Sequence, residues 1–379
     1  MLQEDDGAKM KNLIISTVGT SLITNPANKE QQNLLYKYSN CNETECPAQI
    51  IELVEELFPQ ALEKLYSSDD HSLRRLSAEL NGILGLYDEN LSGRNYDFHF
   101  LICTDTYQGK KSAEVIKEFL EKHKITTEII QPRKLSTKNK DDFSDGIKEL
   151  LKWFDETIYG YKKTGYQVIF NLTGGFKSLQ GYLNTIAMFY ADKIIYIFES
   201  EQAELIEIPR LPIKIDDEPF KKNKLKLLLL NANKVYEKNE FLDFHESVFD
   251  TIDNKLILSV WGEVIWNKLK YDLFDELPEL PFIIYHSNFR DLFGKERDKK
   301  LKVKILETLA KVSVILEESS GNTQNLSKGG IQFSPLESKQ FESKPLYHFR
   351  LDLGIRINCI KNENKLLLIE FGTHDQTQR

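Results

Sequence analysis

The chain has 379 residues, a formal net charge of −8 and 41% hydrophobic residues. This length fits two or three domains, and the apolar content suffices for their cores. The negative charge disfavours a protein that wraps duplex DNA nonspecifically, because neutralising phosphates requires a basic surplus. No apolar run approaches the roughly 20 residues that cross a bilayer, and the charged N-terminal segment lacks a signal-peptide core. We therefore expect a cytoplasmic protein without membrane contact.

The four cysteines are few and scattered. Only Cys41 and Cys46 lie close together, and no second pair or histidine cluster accompanies them. This spacing argues against a zinc site and against a disulfide framework. No metal site is expected.

The first region, residues 1–215, alternates apolar runs with amphipathic segments, which predicts a doubly wound parallel sheet of the Rossmann-like α/β class. The predicted strands are Asn12–Val18, Phe98–Cys103, Thr127–Ile130, Tyr166–Asn171 and Lys193–Phe198. The predicted helices are Ile50–Tyr66, Leu73–Tyr87, Ala113–His123, Phe143–Thr157 and Leu179–Tyr190.

Prolines and a charge run over residues 209–219 mark a boundary. Residues 216–281 then read as a helical connector, with candidate helices at Leu225–Tyr236, Phe241–Phe249 and Trp261–Phe274.

Residues 282–379 begin with a helical pattern over Arg297–Leu316. They end in strand-like runs at Leu346–Leu351, Ile355–Lys361 and Lys365–Phe371. Helices followed by a meander predict a small α+β domain with an antiparallel sheet.

The clearest functional signal is a glycine-rich turn between a predicted strand and a predicted helix. Its candidate ligand-binding residues are Asn171, Thr173, Gly174, Gly175, Lys177 and Ser178. Such a turn exposes amide N–H groups at the positive end of a helix dipole, and the lysine and hydroxyl groups favour a phosphate. The alternative is a tight connection that needs glycine only for its backbone angles.

Two further turns follow predicted parallel strands, so all three should meet at the carboxyl edge of the sheet. The candidates there are Gly19, Thr20 and Ser21 in one turn and Thr104, Asp105 and Thr106 in the other. Neither a dinucleotide fingerprint nor a Walker loop is present, which disfavours an ordinary NAD or ATP enzyme.

With these turns, residues 12–199 resemble the CRISPR-associated Rossmann-fold sensor domains that bind cyclic oligoadenylates. The resemblance lies in Val18-Gly19-Thr20-Ser21 and in residues 171–178. It implies a homodimer with the cyclic ligand, such as cyclic tetra-adenylate, across the two-fold axis. Some family members cut the ring slowly, and Ser21 and Lys177 would then be the residues involved.

The C-terminal strands carry four basic candidates for catalysis: His348, Arg350, Arg356 and His374. Period-two spacing puts the first two on one face, and antiparallel pairing can bring the others there. Histidine suits proton transfer and arginine suits a phosphate, as metal-independent RNA cleavage by the ribose 2′-OH requires. No cofactor is needed for this chemistry. The alternative is a polar, solvated sheet face.

This region resembles the RelE-type messenger-RNA interferases. The resemblance lies in the basic helix Lys299–Leu316 and in the segments Pro345–Arg350, Gly354–Arg356 and Ile369–His374. The C-terminal catalytic tyrosine of many members has no match before the last residue, Arg379, so acid and base stay unassigned. The basic run Lys295–Lys311 is either a solvated helix face or a surface that meets RNA.

The order of sensor, connector and RelE-like domain resembles the CRISPR-associated mRNA interferases. That resemblance implies a winged helix-turn-helix connector, activation by cyclic tetra-adenylate and cleavage of mRNA on the ribosome. Two alternatives stay open. One is a ligand-controlled DNA-binding transcription regulator whose C-terminal domain is catalytically dead, and the other is an endonuclease that cuts free RNA.

Overall fold

The computed structural model describes residues 11–198, 204–252, 254–328 and 330–373. The chain divides into two compact units, Met1–Lys214 and Ile215–Arg379. This division falls one residue before the boundary that the prolines and charges predict. Within the described residues, no helix has the length and apolar character needed to span a membrane.

The N-terminal unit is built on a six-stranded sheet in the order β3-β2-β1-β4-β5-β6, in which only the last strand is antiparallel. The strands are β1 Lys11–Thr17, β2 Phe98–Ile102, β3 Thr126–Ile130, β4 Tyr166–Asn171, β5 Lys193–Ile197 and β6 Leu205–Ile208. The predicted doubly wound parallel sheet is confirmed. The central strand β1 is a continuous buried run because helices cover both faces of a parallel sheet. The edge strand β6 was not predicted.

The helices of this unit connect the parallel strands. They are α1 Ser21–Thr24, α2 Lys29–Lys37, α3 Ala48–Ser67, α4 Asp70–Leu76, α5 Ala78–Leu86, α6 Tyr107–Lys122, α7 Lys140–Lys163 and α8 Lys177–Tyr190. The predicted helix Leu73–Tyr87 is wrong in one respect, because it is broken at Ser77. Ser77 adopts an extended conformation, and its hydroxyl accepts a hydrogen bond from the backbone N–H of Leu80, so it starts a new helix.

The cysteines take two forms. Cys41 and Cys46 are joined by a disulfide, which is a local bridge rather than a framework. Cys103 and Cys359 are buried thiols, and burial raises the pKa of Cys103 to about 12. Such a thiol stays protonated and unreactive at neutral pH.

The C-terminal unit begins with helices and a two-stranded hairpin. Its elements up to residue 273 are α9 Glu218–Lys222, α10 Lys224–Asn231, 3-10 turns at Lys238–Phe241 and Glu246–Val248, β7 Phe249–Ile252, β8 Lys255–Leu258 and α11 Val260–Leu273. The helix predicted over Phe241–Phe249 is therefore wrong. Asn254, at φ +62°, turns the chain so that β7 and β8 pair antiparallel.

The rest of the unit is an α+β arrangement. Its elements are β9 Ile283–Tyr285, α12 Ser287–Lys295, α13 Lys299–Glu318, α14 Gln324–Lys328, β10 Ser334–Phe341, β11 Lys344–Arg350, β12 Ile355–Asn362 and β13 Lys365–Thr373. The sheet order is β10-β11-β12-β13-β9. The predicted antiparallel meander is present, while β10 and the parallel edge strand β9 were not predicted.

One hydrophobic core runs through the whole C-terminal unit. It includes Leu227 and Leu230 of α10, Trp266 of α11, and Phe349 and Ile357 of the sheet. The structure therefore does not separate residues 216–281 from residues 282–379, since both segments bury their apolar faces together. The sheet covers this core with one face. Its other face carries a small hydrophobic cluster of Leu346, Ile360 and Ile369 beside polar residues.

A glycine in α5 allows that helix to approach the end of β4. A Cβ atom at Gly82 would lie 2.2 Å from Asn171 Oδ1, whereas a Cβ at Gly181, in α8, meets nothing within 4 Å. We expect Gly82→Ala to lower the free energy of unfolding by about 1–3 kcal/mol through overpacking. Gly181→Ala should raise it by about 0.5–1 kcal/mol, because alanine favours the helix.

Urea unfolding of the two variants and the wild type measures both effects. Equal effects of the two substitutions would contradict the close approach of α5 to Asn171.

Candidate functional site

A cleft of about 860 Å³ lies where β1 and β4 end. These two strands are neighbours in the sheet, with β2 on the far side of β1 and β5 on the far side of β4. The strand order reverses between them, and ligands of open α/β sheets bind at this kind of position. The cleft is lined by Gly19, Thr20 and Ser21 of the turn after β1 and by Thr173, Gly174, Gly175 and Lys177 of the turn after β4.

The two turns are held directly against each other. The Thr17 hydroxyl donates a hydrogen bond to the Gly174 carbonyl, and the Gln180 amide donates another at 2.8 Å. Gly175 has φ +94°, and a Cβ atom there would lie 2.9 Å from Thr17 Cβ. The glycines are thus required both by backbone conformation and by the close approach of the turns.

Asn171 is fully buried and lies beneath the cleft rather than in its lining. Its amide nitrogen donates to Ser16 Oγ at 3.2 Å and to the Glu79 carbonyl at 3.0 Å. Its amide oxygen accepts hydrogen bonds from the N–H and hydroxyl of Thr173. Asn171 therefore positions the turn. Ser178 is exposed and also lies outside the lining.

The start of α8 retains the donors that an anion needs. Phe176 precedes the helix and provides no side-chain cap, and no acidic residue occupies the first turn. Lys177, the first helical residue, is exposed and forms no ion pair with any residue that the structure describes. Uncapped amides, a helix dipole and a free ammonium group together suit a phosphate.

Among the lining residues that the sequence analysis missed are Arg74 and Arg75 of α4, Ser77 between the two helices, and Glu79 of α5. They come from a connection with no glycine signal. The adjacent arginines before a helix-capping serine were the available clue. Arg74 is oriented by a 2.9 Å ion pair with Glu89 and a 2.8 Å hydrogen bond to Asn81 Oδ1.

Glu79 accepts a hydrogen bond from the backbone N–H of Gly19, a donor that the sequence analysis assigned to the ligand. Its carboxylate accepts the backbone N–H of Gly19 at 2.6 Å and the Ser77 hydroxyl at 2.5 Å. The side chain is buried between the two turns. The first turn therefore presents an acidic group to the cleft, and the anion-binding character belongs to the turn after β4.

The third predicted turn does not reach the cleft. Thr106 caps α6 by accepting the Gly109 N–H at 3.1 Å, and its hydroxyl lies 2.9 Å from that of Thr104. Asp105 accepts the Lys134 N–H at 2.7 Å. This turn follows β2, which lies on the far side of β1 from β4, and none of its three candidate residues lines the cleft.

The C-terminal sheet carries its candidate residues on the face away from the helices. Cross-strand pairing places His348 opposite Asn358, and Arg350 opposite Arg356. The next residue pair across the sheet is Asn358 and Glu370, whose side chains are joined by a 3.0 Å hydrogen bond. The structure therefore brings His348, Arg350 and Arg356 together on one face. His374 lies outside the described residues.

The arginines form a cationic pair. Neither guanidinium forms an ion pair or a side-chain hydrogen bond with any residue in the described part of the chain. Like charges placed directly opposite on neighbouring strands destabilise a sheet. His348 Nε2 lies 3.5 Å from Ser334 Oγ, on the adjacent strand. Two guanidinium groups can hold a phosphate. An imidazole beside them can exchange a proton with an oxygen of the phosphate or its ester.

The basic run of α13 is partly committed to contacts within the chain. Lys299 pairs with Asp272, and Lys304 lies 2.7 Å from Asp352 in the turn after β11. The hydrogen bond from Lys304 lowers the pKa of Asp352. Asp352 in turn accepts the N–H groups of Gly354 and Ile355, which fixes the turn beside the arginine pair.

The molecule thus combines a Rossmann-like unit that has a cleft between β1 and β4 with an α+β unit that has a cationic sheet face. Residues 74–211 match the family model "CRISPR-associated protein (Cas_APE2256)". The matched segment, just over a third of the chain, runs from Arg74 beyond the end of β6 and contains the glycine turn and α8. The match shows similarity to a CRISPR-associated family over this part of the chain.

Among solved structures, Enterococcus italicus Csm6 bound to cyclic hexa-2′-fluoro-hexa-dAMP is similar over 90% of this chain and 74% of that chain. The sequence identity is 15% and the TM-score is 0.28. At this TM-score the likeness does not bear on the fold or the function of the chain.

The cationic pair predicts an unusual response to charge removal. Arg350→Gln should leave the free energy of unfolding unchanged or raise it by about 0.2–1 kcal/mol, because it removes a like-charge contact. High salt should remove any gain. The matched control is Arg290→Gln, which removes a guanidinium 5.2 Å from the centre of the Tyr285 ring and should lower stability by about 0.5–1 kcal/mol.

Urea unfolding at low and high salt tests this contrast. A clear loss of stability in Arg350→Gln would mean that this arginine carries a favourable contact and is not held for an anion.

Proposed function

We propose that this chain is an effector of CRISPR antiviral defence that senses a cyclic oligoadenylate and cleaves messenger RNA on the ribosome. The single observation that carries the proposal is the phosphate-suited cleft between β1 and β4, whose glycine turn after β4 lies in a segment similar to a CRISPR-associated family. The activator is cyclic tetra-adenylate. It acts on a homodimer formed by the N-terminal unit, in which each protomer contributes one cleft.

The chemistry of the cleft supports a ligand with several phosphates. The uncapped start of α8 and Lys177 provide donors and positive charge at one end, and Arg74 and Arg75 add guanidinium groups at the rim. A ring of nucleotides with two-fold symmetry can place equivalent phosphates at the equivalent turns of two protomers. Ser21 lines the same cleft as Lys177, and this supports assigning slow cleavage of the ring to these two residues.

The C-terminal sheet face supports metal-independent RNA cleavage. In this reaction the 2′-oxygen bonds to phosphorus, its proton passes to a base, and the 5′-oxygen leaves with a proton from an acid. Arg350 and Arg356 hold the phosphate and stabilise the added negative charge. His348 exchanges a proton, and His374 is the second candidate for this role. No cofactor takes part.

Docking on the ribosome is compatible with the negative net charge of the protein. A chain with net charge −8 is poorly suited to capture RNA by itself over a wide surface. A ribosome that docks the effector supplies the binding energy, and only the local arginine face needs to meet the RNA. Ligand binding controls docking if the ligand prefers one of two dimer geometries.

A second candidate is a DNA-binding transcription regulator with a catalytically dead C-terminal domain. The observation that favours it is the β7–β8 hairpin between α10 and α11. Helices together with a small hairpin are the elements of a winged helix-turn-helix. Such a regulator would bind duplex DNA in a ligand-dependent manner and leave RNA intact.

The activity is tested with purified protein, translating ribosomes and mRNA, with and without cyclic tetra-adenylate, with cut sites mapped by primer extension. We expect cuts only when both ligand and ribosome are present, and loss of at least 100-fold in rate for Arg356→Ala with ligand binding intact. Cuts on naked RNA would favour a free endonuclease. Ligand-dependent DNA binding without any cuts would favour the regulator.

The ligand site is tested by calorimetry with cyclic tetra-adenylate. Lys177→Ala should weaken binding at least 10-fold, because it removes a charge at the phosphate-binding turn. The control is Lys163→Ala, which removes an exposed lysine at the end of α7, near the opposite edge of the sheet. Equal affinities for both variants and the wild type would remove the proposed role of the glycine turn.

A further inference from the structure

Glu79 is a buried acid in the middle of a cleft that otherwise suits anions. It is 2% exposed, yet it belongs to the lining of the cleft. Its Oε1 atom is so close to the second turn that a Cβ atom on Gly174 would lie 2.2 Å away. The side chain therefore fills the space between the turn after β1 and the turn after β4.

The hydrogen bonds of Glu79 involve both of its carboxylate oxygens. One oxygen accepts the Gly19 N–H, and the other accepts the Ser77 hydroxyl. Buried acids are almost always paired with a cation. Glu79 forms no ion pair with any residue in the described ranges.

Arg74, a basic group from the same connection, is already engaged. Arg74 of α4 is paired with Glu89 and bonded to Asn81. Among the described residues, one amide and one hydroxyl donate hydrogen bonds to the Glu79 carboxylate. A phosphate placed at Gly19 would lose the amide donor to this carboxylate and would be repelled by its charge.

The cleft consequently has two halves of opposite character. At the start of α8, uncapped amides and Lys177 favour an anion. At Gly19, the carboxylate of Glu79 accepts hydrogen bonds and disfavours an anion. Each carboxylate oxygen uses one of its acceptor positions within the protein, which leaves the other for a donor on the ligand. Ribose hydroxyl groups and the adenine amino group are such donors.

We propose that Glu79 is the residue that orients a nucleotide in this cleft, by excluding its phosphate from the first turn and accepting a hydrogen bond from its sugar or base there. The proposal rests on the proposed function for the identity of the nucleotide. Without Glu79, the first turn would expose the Gly19 amide and become a second anion site. The ligand could then bind in either direction.

The test uses the full chain and two probes, pyrophosphate and cyclic tetra-adenylate, measured by isothermal titration calorimetry. In Glu79→Gln, we expect pyrophosphate to bind at least 5-fold more tightly, because a negative charge is removed. We expect cyclic tetra-adenylate to bind at least 10-fold more weakly, because the charge-assisted acceptor is lost. Opposite changes for the two probes distinguish this role from a structural one, which would weaken both.

Two further variants complete the design. Glu79→Asp keeps the charge, so its affinity for pyrophosphate should stay within 2-fold of the wild type. Lys177→Ala should abolish pyrophosphate binding in either background, which places the measured binding in this cleft. Thermal unfolding of each variant verifies folding, and Glu79→Asp serves as the comparison if Glu79→Gln does not fold.

Weaker binding of both probes by Glu79→Gln would identify Glu79 as a structural brace and overturn the proposal. Tighter binding of both probes would show simple repulsion without donor recognition, and would also overturn it. A wild-type protein that binds pyrophosphate but not cyclic tetra-adenylate would instead overturn the proposed ligand. The pyrophosphate measurements alone would then decide whether Glu79 excludes anions from the first turn.

Discussion

The contact between the turn after β1 and the turn after β4 is the constraint on which the N-terminal unit depends. Thr17 donates to the Gly174 carbonyl, and Gly175 lies so close to Thr17 that any side chain would collide with it. This contact fixes where α8 begins and therefore where its uncapped amides point. Asn171 and Glu79 are arranged around the same contact, one beneath the turns and one between them.

Both candidate sites retain charge that the fold does not neutralise. In the N-terminal unit, neither the buried acid Glu79 nor Lys177 forms an ion pair with any described residue. In the C-terminal unit, Arg350 and Arg356 lie opposite each other on the neighbouring strands β11 and β12. Each arrangement is less favourable than a neutral one of the same shape. Such local costs are concentrated at functional sites, where a ligand or substrate offsets them.

Much of the fold follows from the pattern of apolar residues. The five parallel strands and the C-terminal meander were predicted because buried runs and alternating runs have distinct periods. The hairpin β7–β8 and the edge strands β6 and β9 were not predicted, since strands of three or four residues are too short to show a period. Strand β10 was not predicted because most of its residues are polar. The break at Ser77 was missed because the apolar period continues across it, while the backbone does not.

The sequence by itself determined the parallel sheet, the glycine turn and the alternation that puts His348, Arg350 and Arg356 on one face, because each of these depends on residues that are close along the chain. Only the tertiary structure decided which turns meet. Strand order is set by packing between distant segments, and it places the turn of Thr104 to Thr106 away from the cleft while bringing Arg74 and Glu79 into it. The same packing gives the Gly19 amide to Glu79, which no local pattern could indicate.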